Sequence, residues 1–538
     1  MEHILVQDTL SQMAAVPSLS GMPARLFVDG EPFLVRGAEL HNSTATHVPG
    51  VSKGLESVVR LGANTALVPV NWAQFEPAEG VFDRELVTAI VEQARNAGLR
   101  VVLLWFGGYK NGASFYVPAW VRTDRGRFAR CVDSNGKLMS TLSPFASETA
   151  EADAAAFREL MRTVEDIDRG HRTVIMVQVE NETGVLGTPR DFSAAATKAW
   201  ESPVDLAIID LSANGGLARL PDFSGNATSW ETAFGNSIHV QEAFMAAGMA
   251  RYVETVAAAG RAETSLPFFT NTWLDSDIVI PGMDLSGGQI PGIYPSGGPL
   301  PHVAGIWRAL APSLDLLTPD IYFGDVTKIC SDYLQSSGGL FVPEMRRDEH
   351  GAGDVMAIVG EHHAIGVAPF GVDSAEDSHI RHLKDVYELL AAVEPLLCSS
   401  LSTHGFHLQD DAPSMVHRFG DLLLKVERAA PFGETNEGTR AYGIVLQIGA
   451  HEFIAAGRGF NARFLAVAEH KDVEVLHMEE GTLVAGTWVS ARRINGDEAA
   501  GGGTLLHPPL IPQRSETFPI PGVVEHTGIS RTIVHVFG

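Results

Sequence analysis

The 538-residue chain is poor in cysteine, in basic residues and in long apolar runs. Its three cysteines, Cys131, Cys330 and Cys398, are odd in number and far apart, which excludes a disulfide framework and a thiolate zinc site. Lys and Arg number 39 against 65 Asp and Glu, giving a net charge of −26. That surplus repels phosphate backbones, so nucleic acid is not expected as a partner, and a neutral or cationic ligand fits better than a polyanion. No run of about 18 apolar residues occurs, so neither a transmembrane helix nor a membrane partner is expected. Met1 to Ser20 opens with Glu2 rather than basic residues and does not read as an intact signal peptide. The expected compartment is cytoplasmic, or periplasmic or extracellular if a native signal peptide was removed.

Several catalytic motifs are also missing. There is no P-loop and no Gly-x-Ser-x-Gly elbow, and Gly351-Ala352-Gly353 lacks the third glycine of a dinucleotide fingerprint. No His-Glu-x-x-His spacing exists. Asp348-Glu349-His350 and Glu361-His362-His363 read as solvated helix ends, so no metal and no cofactor is expected.

What is present is a regular alternation of short apolar runs with helical patterns. Phe27 to Leu34 reads as a hairpin turning at Asp29-Gly30. Strands are predicted at 34–39, 65–72, 100–106, 174–182, 267–273, 316–323, 339–345 and 365–370, each followed by a helix. Eight such units over this length predict a (β/α)8 TIM barrel rather than an open doubly wound sheet. From about residue 401 the long helical patterns stop and β-like runs begin, punctuated by turns such as Asn495-Gly496-Asp497 and Gly501-Gly502-Gly503. The expected organisation is an N-terminal extension over 1–23, the barrel with its hairpin over 24–400, and a β-sandwich over 401–538.

A TIM barrel carries its site at the C-terminal ends of its strands. Those ends hold Glu39, Asn71-Trp72, Trp105-Phe106, Glu180-Asn181-Glu182, Asn271-Thr272-Trp273, Asp320-Ile321-Tyr322 and Glu344. Read this way, the rim has carboxylates, amides and tryptophans, with no lysine and no thiol. Such an inventory suits a neutral polyhydroxylated ligand: Trp72, Trp105 and Trp273 offer faces to sugar rings, and Glu39, Asn71 and Asn271 offer hydrogen bonds. Glu182 and Glu344 end strands four and seven, across the mouth from each other, where two carboxyls ~5–5.5 Å apart would make a retaining glycosidase pair. Period-two alternation puts Glu180 on the same face as Glu182 and one layer deeper, as a structural acid. It turns Asn181 away unless the strand bulges.

The segment Val174-Ile175-Met176-Val177-Gln178-Val179-Glu180-Asn181-Glu182-Thr183-Gly184 resembles the acid/base motif of glycoside hydrolase family 35, the β-galactosidases. Leu340-Phe341-Val342-Pro343-Glu344-Met345 sits where that family's nucleophile strand belongs. Pro69-Val70-Asn71-Trp72, Glu76-Pro77-Ala78-Glu79-Gly80 and the hairpin are similar as well. The resemblance implies that Glu182 is the acid/base, Glu344 the nucleophile, Asn181 a ligand of the sugar 2-hydroxyl and Tyr322 a hydrogen-bond partner of the nucleophile. It departs from the family at Thr183, at His41-Asn42 and at Trp105-Phe106-Gly107-Gly108, so the related family 42 galactosidases are also close. The C-terminal part resembles the β-domain of a bacterial subgroup of family 35. The implied activity is removal of terminal β-galactosyl residues from oligo- or polysaccharides, xyloglucan-derived ones included. Another clan member cutting a mannoside or arabinopyranoside, and a non-catalytic carbohydrate-binding barrel, stand as alternatives. A homo-oligomer remains open.

Overall fold

The computed structural model describes residues 15–276, 288–429, 440–484, 486–494, 503–511 and 526–538. The turns expected at 495–497 and at Gly501-Gly502, the first fourteen residues and part of the loop after strand five lie outside the described residues.

Eight parallel strands close into a barrel: β1 (Val35–Glu39), β2 (Thr65–Asn71), β3 (Arg100–Lys110), β4 (Val174–Asn181), β5 (Phe268–Trp273), β6 (Leu316–Ile321), β7 (Phe341–Met345) and β8 (Gly366–Pro369). Helices α1 (Val48–Leu61), α2 (Glu85–Asn96), α3 (Ser147–Asp168), α4 (Ile238–Arg261), α5 (Ala304–Leu310), α6 (Val326–Ser337), α7 (Glu349–His362) and α8 (Arg381–Leu397) follow the strands in turn. Helix α1 shows why the pattern was readable. Val51, Leu55, Val58 and Leu61 share its buried face, and Gly62 ends it at φ 82°, a left-handed position open to glycine.

The barrel interior is filled by Val35, Leu67, Val102, Leu104, Phe106, Met176, Phe269, Leu316 and Phe341, among others. Leu26 and Val28 of the N-terminal hairpin join this cluster. Their partners Val35, Leu316 and Phe341 open their strands, so the hairpin plugs the N-terminal end of the barrel. Asp29 and Gly30, at φ 55° and 85°, make its tight turn. Ser18–Ser20 pairs with Arg25–Val28 in the same small sheet. The chemistry is thereby left to the opposite, C-terminal mouth.

After the barrel the described residues form two antiparallel sheets. One has six strands, ordered β9 (Ser402–Leu408), β12 (Ala441–Gly449), β13 (Glu452–Arg458), β18 (Ile529–Phe537), β15 (Asp472–Val484) and β16 (Thr487–Arg493). The other has four, ordered β10 (Ser414–Phe419), β11 (Leu422–Arg428), β14 (Phe460–Ala466) and β17 (Leu505–His507). Phe406, Phe419, Leu424, Phe453, Phe464 and Val534 from both sheets share one apolar core. The six-stranded sheet also leans on the barrel. Ile444, Leu446, Ile454 and Ala456 belong to the apolar cluster of the barrel helices. Arg458 of β13 holds Asp385 of α8 with two hydrogen bonds of 2.6 and 3.0 Å. No described helix is long and apolar enough to cross a membrane.

Candidate active site

Glu344 lies in register with Asp320 on the neighbouring strand, and Asp320 with Trp273 on the next, so three predicted strand ends share one row at the mouth. Tyr322 donates its hydroxyl to Glu344 Oε1 at 2.6 Å. Asn271 bridges the row to β4: its Oδ1 accepts from the backbone N–H of Glu182 at 2.9 Å, and its Nδ2 donates to Asp320 Oδ2 at 2.7 Å. Glu39 ends β1 on the far side, bridged to Phe370 beyond β8.

The mouth is a cluster of acids. Glu39, Asp320 and Glu344 all act on Lys110, as does Glu182. Burial and then the charge of Glu344 push Glu182 up to about 8, against pulls from Lys110 and Asp320. Burial, followed by the neighbouring glutamates, likewise raises Glu39 and Asp320 well above the ordinary carboxyl range. Tyr322 is pushed up by burial and by Glu344, so it stays a hydrogen-bond donor. Asn181 Oδ1 and Glu344 Oε2 are buried with no hydrogen bond to the described protein, while the carboxyls of Glu182 and Asp320 meet each other. Orphan acceptors are rare in a folded interior, and their grouping here marks a surface built for a polar ligand.

The strand carrying Glu182 does not alternate regularly. Glu180 and Glu182 take left-handed φ values of 61° and 45°. The β3–β4 pairing passes from Trp105 opposite Val179 to Lys110 opposite Asn181, with the excess residues bulging from β3. Asn181 thereby reaches the tip of the strand beside Glu182. Glu180, expected to share Glu182's face, instead turns to the helix layer. Its Oε2 accepts the Tyr109 N–H at 2.7 Å, and burial followed by the charge of Asp153 raises its carboxyl well above the usual range. Asp153 of α3 in turn accepts from Trp105 Nε1, Gly108 N and the Tyr252 hydroxyl at 2.7–2.8 Å.

Three predicted sugar contacts are turned away from this cluster. Trp105 is fully buried among Phe75 and Phe157, with its indole N–H on Asp153. Trp72 is fully buried against Trp120 and donates to Glu76 Oε2 at 2.7 Å. Asn71 caps the short helix Trp72–Phe75, accepting from Gln74 N and donating to Gln74 Oε1. Aromatic bodies at strand ends are packing material by default, and these two pack. Trp273 keeps partial exposure at the mouth.

Two site residues escaped the sequence reading. Asp320 stood on the rim but carried no role. Lys110 was absent because β3 was ended at Phe106, whereas the strand runs on through Gly107 and Gly108 to Lys110, so the mouth does contain a lysine. The Asn111-Gly112 turn signal, just beyond, was the available clue.

Residues able to hold a metal lie elsewhere, at the seam between barrel and β-domain. His350, Asp354 and His407 form one group and Glu361, His404 and His417 another, with the ligand atoms of each within 4.8 Å. His350 and Glu361, expected from the sequence as solvated helix ends, meet partners from β9 and β10, where no local motif could reveal them. The groups are paired internally, Asp354 binding His350 and His407 Nδ1 at 3.0 and 2.8 Å and Glu361 binding His404 Nδ1 at 2.5 Å.

No curated protein matches the chain. Among solved structures, the β-galactosidase of Bacillus circulans sp. alkalophilus is similar at 14% identity over 68% of this chain and 57% of its own, with a TM-score of 0.47. The β-galactosidase of the psychrophilic Marinomonas ef1 is similar at 13% over 68% and 62%, TM-score 0.46. The catalytic domain of β-amylase from Paenibacillus polymyxa is similar at 13% over 65% and 96%, TM-score 0.46. The likeness thus spans less than two thirds of either β-galactosidase chain. Residues 383–505 match a domain of unknown function, DUF5597. Residues 25–251 match the model of Glycosyl hydrolases family 35, a stretch that includes the hairpin, β1 to β4 and Glu182.

Proposed function

We propose that the protein is a retaining exo-β-galactosidase, removing terminal β-D-galactosyl residues from oligo- or polysaccharides by double displacement. The observation that carries this reading is the meeting of two glutamates at one mouth. Glu182 is pushed up to about 8 and keeps its proton near neutral pH, while Glu344 is steered by the Tyr322 hydroxyl.

In the first step a Glu344 oxygen bonds to the anomeric carbon as the glycosidic C–O bond breaks. Glu182 gives its proton to the departing oxygen. In the second step Glu182, now a carboxylate, takes a proton from water. The resulting hydroxide oxygen bonds to the anomeric carbon, and the Glu344 ester is released. Asn181, beside Glu182 with an unsatisfied Oδ1, accepts the sugar 2-hydroxyl.

A panel of aryl β-glycosides tests the reading. The galactoside should be turned over fastest, with retention at the anomeric centre, and Glu344→Gln should remove nearly all turnover. A preference for a mannoside, glucoside or arabinopyranoside would replace the sugar. Binding without turnover would replace the enzyme by a carbohydrate-binding barrel.

A further inference from the structure

Lys110 is a buried cation whose placement the fold over-determines. Its side chain lies at the tip of β3, opposite Asn181, and the residue is 4% exposed. Its backbone exchanges hydrogen bonds of 2.8 and 3.1 Å with Ala113. Between them Asn111 and Gly112 take φ values of 54° and 64°, the left-handed pair of a type I′ turn. Gly112 donates its N–H to the Glu182 carbonyl at 3.0 Å, so the turn that fixes Lys110 is tied to the backbone of the acid itself. The ammonium stands 4.5 Å from the Phe106 ring centre. Glu39 of β1, Asp320 of β6, Glu344 of β7 and Glu182, just past β4, share the mouth with it and act on its charge from beyond direct ion-pair contact. Asp373, after β8, faces Glu39 and binds Thr44 and the His41 N–H.

We propose that Lys110 is the counter-charge of this carboxyl cluster, a positioning residue that sets the charge balance in which Glu182 meets the substrate. The inference rests on the glycosidase reading above. Four carboxyls brought together in a desolvated mouth repel one another, and without a cation more of them would hold protons. One fixed ammonium offsets that repulsion. Burial alone would discharge the lysine, but the surrounding carboxyls outweigh burial and hold it as ammonium. Its charge favours the ionised form of Glu182, opposing the upward push from burial and Glu344. The alkaline limit of activity, where Glu182 loses its proton, is therefore lower than the acids alone would make it.

The test compares Lys110→Met and Lys110→Arg with the wild type. The substrate is whichever aryl glycoside of the panel the wild type turns over best, so a wrong sugar does not disturb the comparison. In Lys110→Met the alkaline limb of kcat/KM should move up on the order of one pH unit, the effect of one nearby charge in a partly shielded site. Lys110→Arg, which keeps the charge, should leave the limb in place even if its turnover falls. A merely structural lysine would lower the rate of Lys110→Met without moving the limb, and that result overturns the inference. Carboxyl 13C NMR titration of Glu182, assigned by difference with Glu182→Gln, reads the same shift without turnover. If the wild type hydrolyses nothing, the glycosidase reading fails, and this titration still decides whether Lys110 controls Glu182. An unmoved Glu182 midpoint in Lys110→Met overturns the inference as well.

Discussion

The acid role proposed for Glu182 carries a cost in stability. Its carboxyl stands at about 8 in the folded protein against an ordinary value of 4.5. Between those two pH values the native state holds a proton that the unfolded chain releases. Stability is therefore greatest below the lower value and falls as pH rises through the window. Glu182→Gln, which stays neutral at every pH, should melt higher than the wild type at pH 7–8. The gap should close near pH 4–5, as followed by thermal unfolding across pH. An equal gap at both ends would mean that the carboxyl is not proton-linked. The same residue should show its role through the leaving group. Glu182→Gln should slow hydrolysis of an alkyl glycoside by about 10²–10⁴-fold, the usual worth of a general acid. A dinitrophenyl glycoside, whose leaving oxygen needs no proton, should suffer much less in the glycosylation step. Equal losses on both substrates would take the acid role away from Glu182.

Among the elements, β3 separates what the sequence disclosed from what it hid. The apolar runs of the strands and the faces of helices such as α1 were legible because strands such as β2 and β4 are buried on both sides and α1 on one. The end of β3 was not. Gly107-Gly108 reads locally as a strand terminator, but here the glycines make room. A Cβ on Gly107 would stand 2.5 Å from Glu180 Oε1 and 2.6 Å from Asp153 Oδ1, and one on Gly108 would stand 2.2 Å from the Tyr252 hydroxyl. The contacts that demand glycine come from α3, α4 and β4, far away in sequence, and they also pull Glu180 out of alternation and Trp105 into the helix layer. Glu182 and Glu344 were legible because they end strands in any barrel register. The faces of Trp72, Trp105 and Asn71 were not, because a bulge or a helix cap decides them. Gly112→Ala probes this element. It puts a side chain at φ 64° with its Cβ 2.9 Å from Leu186 Cγ. A cost of about 1–2 kcal/mol is expected, seen as a lower midpoint in denaturant with unchanged slope. The loss of kcat/KM should exceed what the unfolded fraction explains, because the turn holds both Lys110 and the Glu182 carbonyl. Activity that falls only in step with unfolding would leave the turn a mere connection.

At the scale of the whole molecule, the net charge of −26 sorts into two populations. Many carboxylates pair with arginines on the surface, as Glu263 does with Arg162 and Asp205 with Arg251. Such pairs contribute little to stability, whereas the few at the barrel mouth concern chemistry. Beside the polar bonds of Arg458, His404 and His407, a close apolar contact joins the two parts of the chain. Gly360 of α7 meets Gly405 of β9 so closely that a Cβ on Gly360 would lie 2.6 Å from the Gly405 Cα. Around that contact Ile444, Leu446 and Ile454 are buried in the cluster of the barrel helices. Each such side chain is worth roughly 1.5–3 kcal/mol when buried. Three of them equal a large share of the roughly 5–15 kcal/mol that stabilises an ordinary domain. The barrel should then not stand alone. A chain ending at Ser400 exposes the α7 face and is expected to aggregate or to melt well below the full protein, while the full protein melts in one calorimetric transition. Gly360→Val is the milder version, wedging the seam at a cost of about 1–3 kcal/mol. A soluble 1–400 fragment that melts cooperatively at the full-length temperature would show that the β-domain adds no stability to the barrel, and the seam would then need another reason to be so close.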